Sequence, residues 1–321
     1  MKLFPVSSIF NLLCITNDKI PIMIFAAIDI GSNAVRLLFS NAFLQDGKIR
    51  VEKATLIRIP IRLGLDVYNS NKISKERASK LIKTLEAFRL LIDVYKPESF
   101  TACATAAIRE AVNGEDLIKK IKKQTGINVR IVDGLEEAAI IRASDDHAFP
   151  AEKKLTMYVD LGGGSTEISV TSSHKLLAAN SFKIGTLRLI SDKVSPSEWV
   201  SLEEWLIQFK DSFGLINLIG SGGNINKLAK IYGSPDAMTI SVERLQHAVN
   251  HLKSFDLKER IEILGLRPDR ADVILPAAEV FGFITRIIKA DSVHVPKIGL
   301  ADGLIYQMYE EYLSKKKKKK S

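Results

Sequence analysis

At 321 residues, with 46% hydrophobic residues and 10 prolines, the chain has room for two domains with cores of their own. That composition excludes a disordered or fibrous protein. The formal net charge is +9, but residues 315–320 are all lysine, and nine less six leaves +3, which makes nucleic acid a poor candidate partner.

Two cysteines, Cys14 and Cys103, cannot build a disulfide framework; Cys103 reads as a buried reduced thiol, and a cytoplasmic location fits. No run of about eighteen apolar residues offers a membrane span. Residues 1–22 are mildly apolar, but Pro5 and Asn11 break the run, only Lys2 precedes it and no small-residue cleavage site follows. They read as a poorly defined N-terminal extension rather than a signal peptide, with Met23 as a second candidate start.

From Met23 onward, strands and helices alternate. Residues 25–30 predict a strand that runs into Asp29-Ile-Gly31-Ser32-Asn33. A second strand follows over 35–42, with Arg36 near its start, then an Asp46-Gly47 hairpin turn and a third strand over 49–61. Ser74 is placed to cap a helix running to Tyr95, with Ala78, Leu81, Ile82, Leu85, Phe88 and Ile92 at helical spacing. A strand over 99–105 leads into Arg109. A helix over 113–125 ends at Gly126, and a strand spans 129–132. Glu136 and Glu137 then open a helix to about residue 144, and 151–154 form a polar loop.

The second half repeats the design. Residues 155–159 form a short buried strand that ends in Asp160-Leu-Gly162-Gly163-Gly164-Ser165-Thr166-Glu167, and apolar residues resume at 168–170. A strand over 175–184 and a short helix from Gly185 come next. Ser195-Pro-Ser-Glu198 reads as a capping box opening a helix whose Trp199, Leu202, Leu206 and Phe209 are core residues. A strand from 215 ends in Gly220-Ser221-Gly222-Gly223-Asn224. Helices follow over 224–232, 241–255, 257–264 and 271–289, then a strand over 292–298, a last helix to 313 and a solvated lysine tail over 315–321. His247 and His251 share a helix face but lack the glutamate of a zinc-protease motif.

Three times, therefore, a strand runs into a glycine turn with small polar donors. Glycine lets the backbone bring bare N–H groups against an anion, and the hydroxyls of Ser32, Ser165 and Thr166 add donors. Asp160 and Glu167 put a carboxylate at each end of the middle turn, an arrangement suited to a metal-bound phosphate. Asp160, with Asp29, is the candidate ligand set for Mg²⁺ or Mn²⁺, because hard cations at phosphate sites take few carboxylates. Arg36 and Arg109, beside turns, are candidates for charge-assisted phosphate contacts.

These turns resemble those of the actin-like ATPase superfamily. The resemblance implies an α/β protein of two actin-like (ribonuclease H-like) domains facing across a central cleft. Domain I is expected over 23–134 plus 303–314, and domain II over 135–302. Asp29-Ile-Gly-Ser-Asn33 with Arg36, Ala104-Thr105 with Arg109-Glu-Ala, Gly134-x-Glu136-Glu137-Ala, Asp160 to Glu167, Gly220-Ser-Gly-Gly223 and Arg270-Ala-Asp272 are together similar to the Ppx/GppA family of exopolyphosphatases and guanosine pentaphosphate phosphatases.

The similarity covers residues 23 to about 312 and implies the short form without C-terminal helical domains. Two departures stand out. Ala139 occupies a position commonly Arg, and Ala301-Asp302-Gly303 replaces a more usual Arg-Glu-Gly.

By this resemblance the loops at Gly31 and at Gly162–164 are paired phosphate loops, and Gly220, Ser221, Gly222 and Gly223 approach the distal phosphate or nucleoside end. Glu137 matches the family's catalytic base, Glu167 assists water or metal positioning, and Glu136 is a solvated first-turn residue. The implied reaction is metal-dependent removal of a terminal phosphate from inorganic polyphosphate or guanosine pentaphosphate (pppGpp) by in-line water attack. A homodimer is plausible by family analogy.

A small-molecule kinase of the same superfold and a non-catalytic polyphosphate or nucleotide binder use similar loops. The first would form ADP only with an acceptor present, and the second would bind without turnover.

Overall fold

The computed structural model of the protein describes residues 22–144, 155–173 and 175–318. The expected extension through residue 21, the 151–154 loop, Cys14, His147, His174 and residues 319–321 lie outside them. The first sheet collects β1 (Met23–Ile30), β2 (Val35–Gln45), β3 (Lys48–Ile59), β4 (Ser99–Ala104) and β5 (Val129–Ile131) in the order β3-β2-β1-β4-β5. β1 to β3 form antiparallel hairpins, whereas β4 and β5 run parallel to β1. The turn between β2 and β3 is Asp46-Gly47, both with positive φ (52° and 74°), as a two-residue hairpin of matching twist requires. Between β3 and β5 lie α1 (Leu63–Ser70), α2 (Lys75–Tyr95), α3 (Ala106–Glu110) and α4 (Gly114–Thr125).

After the connecting helix α5 (Gly134–Ala143), the second sheet begins with β6 (Leu155–Leu161), β7 (Thr166–Ser172) and β8 (Lys175–Phe182). α6 (Thr186–Ile190) and α7 (Pro196–Ile207) separate these from β9 (Ile216–Ser221) and α8 (Gly223–Tyr232). Then come β10 (Thr239–Ser241), α9 (Val242–Lys253), α10 (Leu257–Glu262), α11 (Pro268–Ala271), α12 (Ile274–Ile288), β11 (Ser292–His294) and α13 (Leu300–Lys318). The order β10-β11-β9-β6-β7-β8 repeats the plan of the first sheet: two hairpins on one side of β6, parallel partners on the other, and β10 added at the edge. The protein is thus an α/β molecule of two actin-like halves facing across a cleft.

Three apolar clusters follow from this layout. One lies in the second half and joins its sheet to α7, α8, α9 and α12, with Trp199 edge-on to Phe283 at 4.9 Å and Leu202 and Leu206 fully buried. One lies between the first sheet and α2 and α4. The third covers the other face of the first sheet, where Phe25, Ala27, Leu38 and Cys103 meet Ile140 and Ile141 of α5 and Leu304, Ile305 and Tyr309 of α13.

Local details differ from the sequence expectation in several places: α3 and β10 were not expected, and the strand expected over 292–298 is only Ser292–His294. α1 was not expected; it starts after Arg62, which has φ 60° and offers no side-chain cap. The Ser195 capping box does not form: Glu198 instead accepts from the Lys183 N–H at 3.0 Å, and Ser195 bonds Ser197 at 2.8 Å. The helix expected over 271–289 is broken at Asp272 and Val273 into α11 and α12. Helix α13 carries on to Lys318, through most of the expected lysine tail, in keeping with lysine's good helix propensity.

Candidate functional site

The cleft between the two sheets has a volume of about 760 Å³. Its floor is made where two hairpin turns meet. In the first, Gly31 N–H donates to the Ala34 carbonyl at 3.1 Å; in the second, Gly162 N–H donates to the Ser165 carbonyl at 3.0 Å. The turns are therefore closed by the same i to i+3 bond, one at the end of β1 and one at the end of β6. Gly31, Ser32, Asn33, Gly162, Gly163, Gly164 and Ser165 all line the cleft. Gly164 must be glycine: a Cβ there would stand 2.0 Å from the Tyr68 hydroxyl and 2.8 Å from Ala106 Cβ.

Three carboxylates converge beside the turns. Asp160 and Glu167 are cross-strand partners on β6 and β7, and Glu137 enters from the first turn of α5. Asp133 caps that helix by accepting from Glu136 N–H at 2.8 Å, which fixes the direction of the turn carrying Glu137. One carboxylate oxygen from each of Glu137, Asp160 and Glu167 lies within 4.8 Å of the others. Glu136, one residue earlier, points outward to an exposed pair with Arg130.

Burial raises the pKa of all three. Glu137 is pushed well above the usual carboxylate range by burial and then by the charges of Glu167, Asp160 and Asp29, against a smaller opposing effect of Arg109. Glu167 is pushed up to about 7, chiefly by burial, although Ser165 and Ser181 donate to it. Asp160 is raised by burial despite a 2.5 Å hydrogen bond from Ser221 Oγ and the nearby Arg36 charge. Two buried carboxylates and a half-buried one, all hard oxygen donors that resist ionising together, are a donor set that a divalent cation satisfies.

The other sequence candidates fall around this centre. Asp29 lies opposite Arg36 in the β1–β2 register and is ion-paired with it, so its carboxylate stands apart from the three-carboxylate cluster. Arg109 donates to the Val132 carbonyl at 2.7 Å; it acts on Glu137 and Glu167 through its charge and is not among the cleft-lining residues. Thr166 is buried, with its hydroxyl on the Ile184 carbonyl at 2.5 Å. Gly220 is a packing residue against Val293 and Phe281, and Ser221 serves Asp160. Gly222 and Gly223 line the cleft; Gly222 has φ 106° and brings the start of α8 against the Leu161 carbonyl.

A second network lies beneath the floor. Arg188 of α6 donates from Nε to the Gly164 carbonyl at 2.6 Å, pairs with Glu110 of α3, and stacks on the Tyr68 ring at 4.0 Å. Tyr68 of α1 in turn shares a 2.8 Å hydrogen bond with Ser32. Both turns are thereby tied to one guanidinium. Farther out, Arg58–Asp269 and Arg62–Asp272 (2.6 Å) bridge the first half to the second. Sequence reasoning assigned no role to Tyr68, Glu110 or Arg188. The glycine-led turn at Gly185 was the one local signal, because that turn rests directly on Gly163 and Gly164.

Comparison with known proteins gives a consistent result. The sequence profile of the Ppx/GppA phosphatase family matches residues 55–312. Exopolyphosphatase 1 of Mycobacterium tuberculosis is 25% identical over 305 residues, covering 88% of this chain and 87% of that protein. The guanosine-5'-triphosphate,3'-diphosphate pyrophosphatase of Photobacterium profundum is 25% identical over 300 residues, 89% of this chain but 59% of that longer protein. Among solved structures, the Ppx/GppA family member of Aquifex aeolicus superposes with a TM-score of 0.72 at 25% identity, covering 91% of this chain and 99% of that one. Among the described residues, no helix is long and apolar enough to cross a membrane.

Proposed function

The chain belongs to the Ppx/GppA phosphatase family, and from that premise we propose that it hydrolyses the terminal phosphoanhydride bond of inorganic polyphosphate or pppGpp at the floor of the cleft. The observation that carries this reading is the meeting of two like-built glycine turns beside the cluster of Glu137, Asp160 and Glu167. N–H groups of the Gly31 and Gly162–Gly164 turns hold the terminal phosphoryl oxygens, with Arg36 adding charge from the rim. Glu137 orients the attacking water and accepts its proton as the water oxygen bonds to phosphorus. The bridging oxygen then departs with the next phosphate. A carboxylate whose pKa burial and neighbouring carboxylates raise well above the usual range suits that role.

Asp160 and Glu167 would hold a Mg²⁺ or Mn²⁺ ion, with Glu137 beside it. When bound, the ion neutralises phosphoryl charge. Asp29, taken up by Arg36, positions that arginine rather than the ion.

The test is phosphate release with Mg²⁺ or Mn²⁺ and no acceptor, from long polyphosphate, tripolyphosphate, pppGpp and ATP in one buffer. Release from at least one of the first three is expected. Transfer that needs an added hydroxyl or carboxylate would make the protein a kinase, and no turnover on any substrate would leave it a binder.

The cation has an assay independent of turnover. A carboxylate whose folded pKa is raised holds its proton more tightly in the folded than in the unfolded chain. The protein without cation therefore loses stability as pH rises from the unfolded value near 4.5 through about 7, where Glu167 titrates. A divalent cation replaces those protons. Its gain in Tm should be small at pH 5 and grow toward pH 8, and Asp160→Asn should flatten that growth. A gain independent of pH in scanning fluorimetry would place the ion elsewhere.

A further inference from the structure

The two glycine turns touch each other at the cleft floor, and one phenol lies at their junction. A Cβ on Gly163 would stand 3.1 Å from Ser32 Cβ and 3.3 Å from the Asn33 nitrogen, so the turns of the two halves pack directly together. The Tyr68 hydroxyl, on α1, is 2.8 Å from Ser32 Oγ and lies where a Gly164 side chain would have to go. Arg188 of the second half stacks on the Tyr68 ring at 4.0 Å. Gly64 closes on the ring edge, since a Cβ there would stand 2.6 Å from Tyr68 Cε2. With the ring held in this way, the freedom left to the hydroxyl is rotation of its proton.

Which of the two oxygens donates is decided by what each can reach. Tyr68 is 6% exposed and does not line the cleft, and among the described residues Ser32 is the one hydrogen-bond partner of its hydroxyl. The guanidinium beside it cannot accept, and its Nε and Nη2 are taken by the Gly164 carbonyl and by Glu110. If Ser32 were the donor, the phenolic proton would be buried without an acceptor, which costs more than a hydrogen bond gains. With Tyr68 as donor that proton is satisfied, and the Ser32 proton is left for the cleft, which Ser32 does line. Burial pushes the Tyr68 pKa up to about 12, with Ser32 and the Arg188 charge pulling against it, so the phenol keeps its proton at neutral pH.

Resting on the hydrolase reading above, we propose that Tyr68 is a positioning residue that donates to Ser32 Oγ and so turns the Ser32 hydroxyl proton toward the terminal phosphoryl group at the cleft floor. A serine hydroxyl without such a partner turns among its rotamers, and its proton goes to whichever acceptor is nearest. The phenol reserves it for the ligand.

The experiment is a double-mutant cycle of Tyr68→Phe and Ser32→Ala. It is read as kcat/KM on tripolyphosphate and, without turnover, as the affinity for inorganic phosphate by calorimetry with Mg²⁺ present. Phenylalanine keeps the ring and its stacking on Arg188 and removes only the oxygen. Ser32→Ala is expected to lower both quantities by about ten-fold or more, the worth of a hydrogen bond to a charged group. Tyr68→Phe should lower both by about three- to ten-fold when Ser32 is present, and by less than about two-fold in the Ser32→Ala background. A residue that acts through another loses its effect when the other is gone.

A structural role for Tyr68 would give the same loss in both backgrounds, and that additivity would overturn the proposal. Unchanged phosphate affinity in Tyr68→Phe would overturn it too, and this arm decides alone if Ser32→Ala folds poorly. Stability supplies a third reading: Ser32→Ala strands the phenolic proton, so adding Tyr68→Phe should raise Tm above that of Ser32→Ala. A further fall would mean that the phenol has another acceptor, which is also against the proposal. Absence of phosphate release from every substrate by the wild type would overturn the hydrolase reading, a separate outcome that leaves the phosphate-binding arm to judge Tyr68.

Discussion

Glu137→Gln is expected to lower kcat by about 10²- to 10⁴-fold, the usual worth of a positioned base, while KM changes little. Glutamine keeps the shape and can still hold a water, but it cannot take the proton. The folded state should not suffer. Glu137 is 9% exposed and lies among Asp160, Glu167 and Asp29, so replacing it with a neutral side chain removes like-charge repulsion. Tm measured without cation should therefore stay level or rise at pH 8. A variant that keeps kcat within a few-fold would show that the base lies elsewhere, with Glu167 the next carboxylate to test.

Arg188→Met is expected to cost about 3 kcal/mol of stability in urea unfolding, the lower end of the usual cost of removing one partner of a buried ion pair. The arginine side chain is 9% exposed and its partner Glu110 27%, so Glu110 keeps some access to water and the upper end is not reached. The Gly164 carbonyl loses its donor in the same change, and the Tyr68 ring its stacked partner. Arg188→Met/Glu110→Gln should be less destabilised than the sum of the two single changes, because it leaves no unpaired charge. Additive effects would mean the two side chains do not act as a pair.

The fold was legible wherever an apolar run ended in a glycine turn. β1, β6 and β9 each announce themselves in this way, and their turns are the parts of the chain that the cleft brings together. Ser74 and Gly126 marked real helix ends because a side chain or a left-handed residue does the capping there. Long-range partnerships were not legible. Glu198 sits at capping-box spacing from Ser195, yet a backbone N–H fifteen residues upstream takes its carboxylate. α1 escaped notice because it is short, holds Gly64 and lacks a side-chain cap, so Tyr68 could not be seen as a partner of Ser32.

The candidate site was partly visible for the same reason. Asp160 and Glu167 are near in sequence, and a hairpin makes them neighbours. The motif carried the expectation for Glu137. That Asp29 spends its charge on Arg36 is a matter of strand register, and that Arg188 meets Glu110 across 78 positions depends on how the two halves dock. Neither leaves a periodic trace.

The last helix has a consequence for how the chain is made. α13 is the final described element to leave the ribosome, yet it covers Phe25, Ala27 and Leu38 in the earliest sheet, with Tyr309 lodged edge-on to Phe25 at 5.8 Å. During synthesis the part of that face not covered by α5 must wait bare until some 270 further residues have emerged. A ribosome that stops short of residue 300 would thus release a chain whose oldest part is its stickiest.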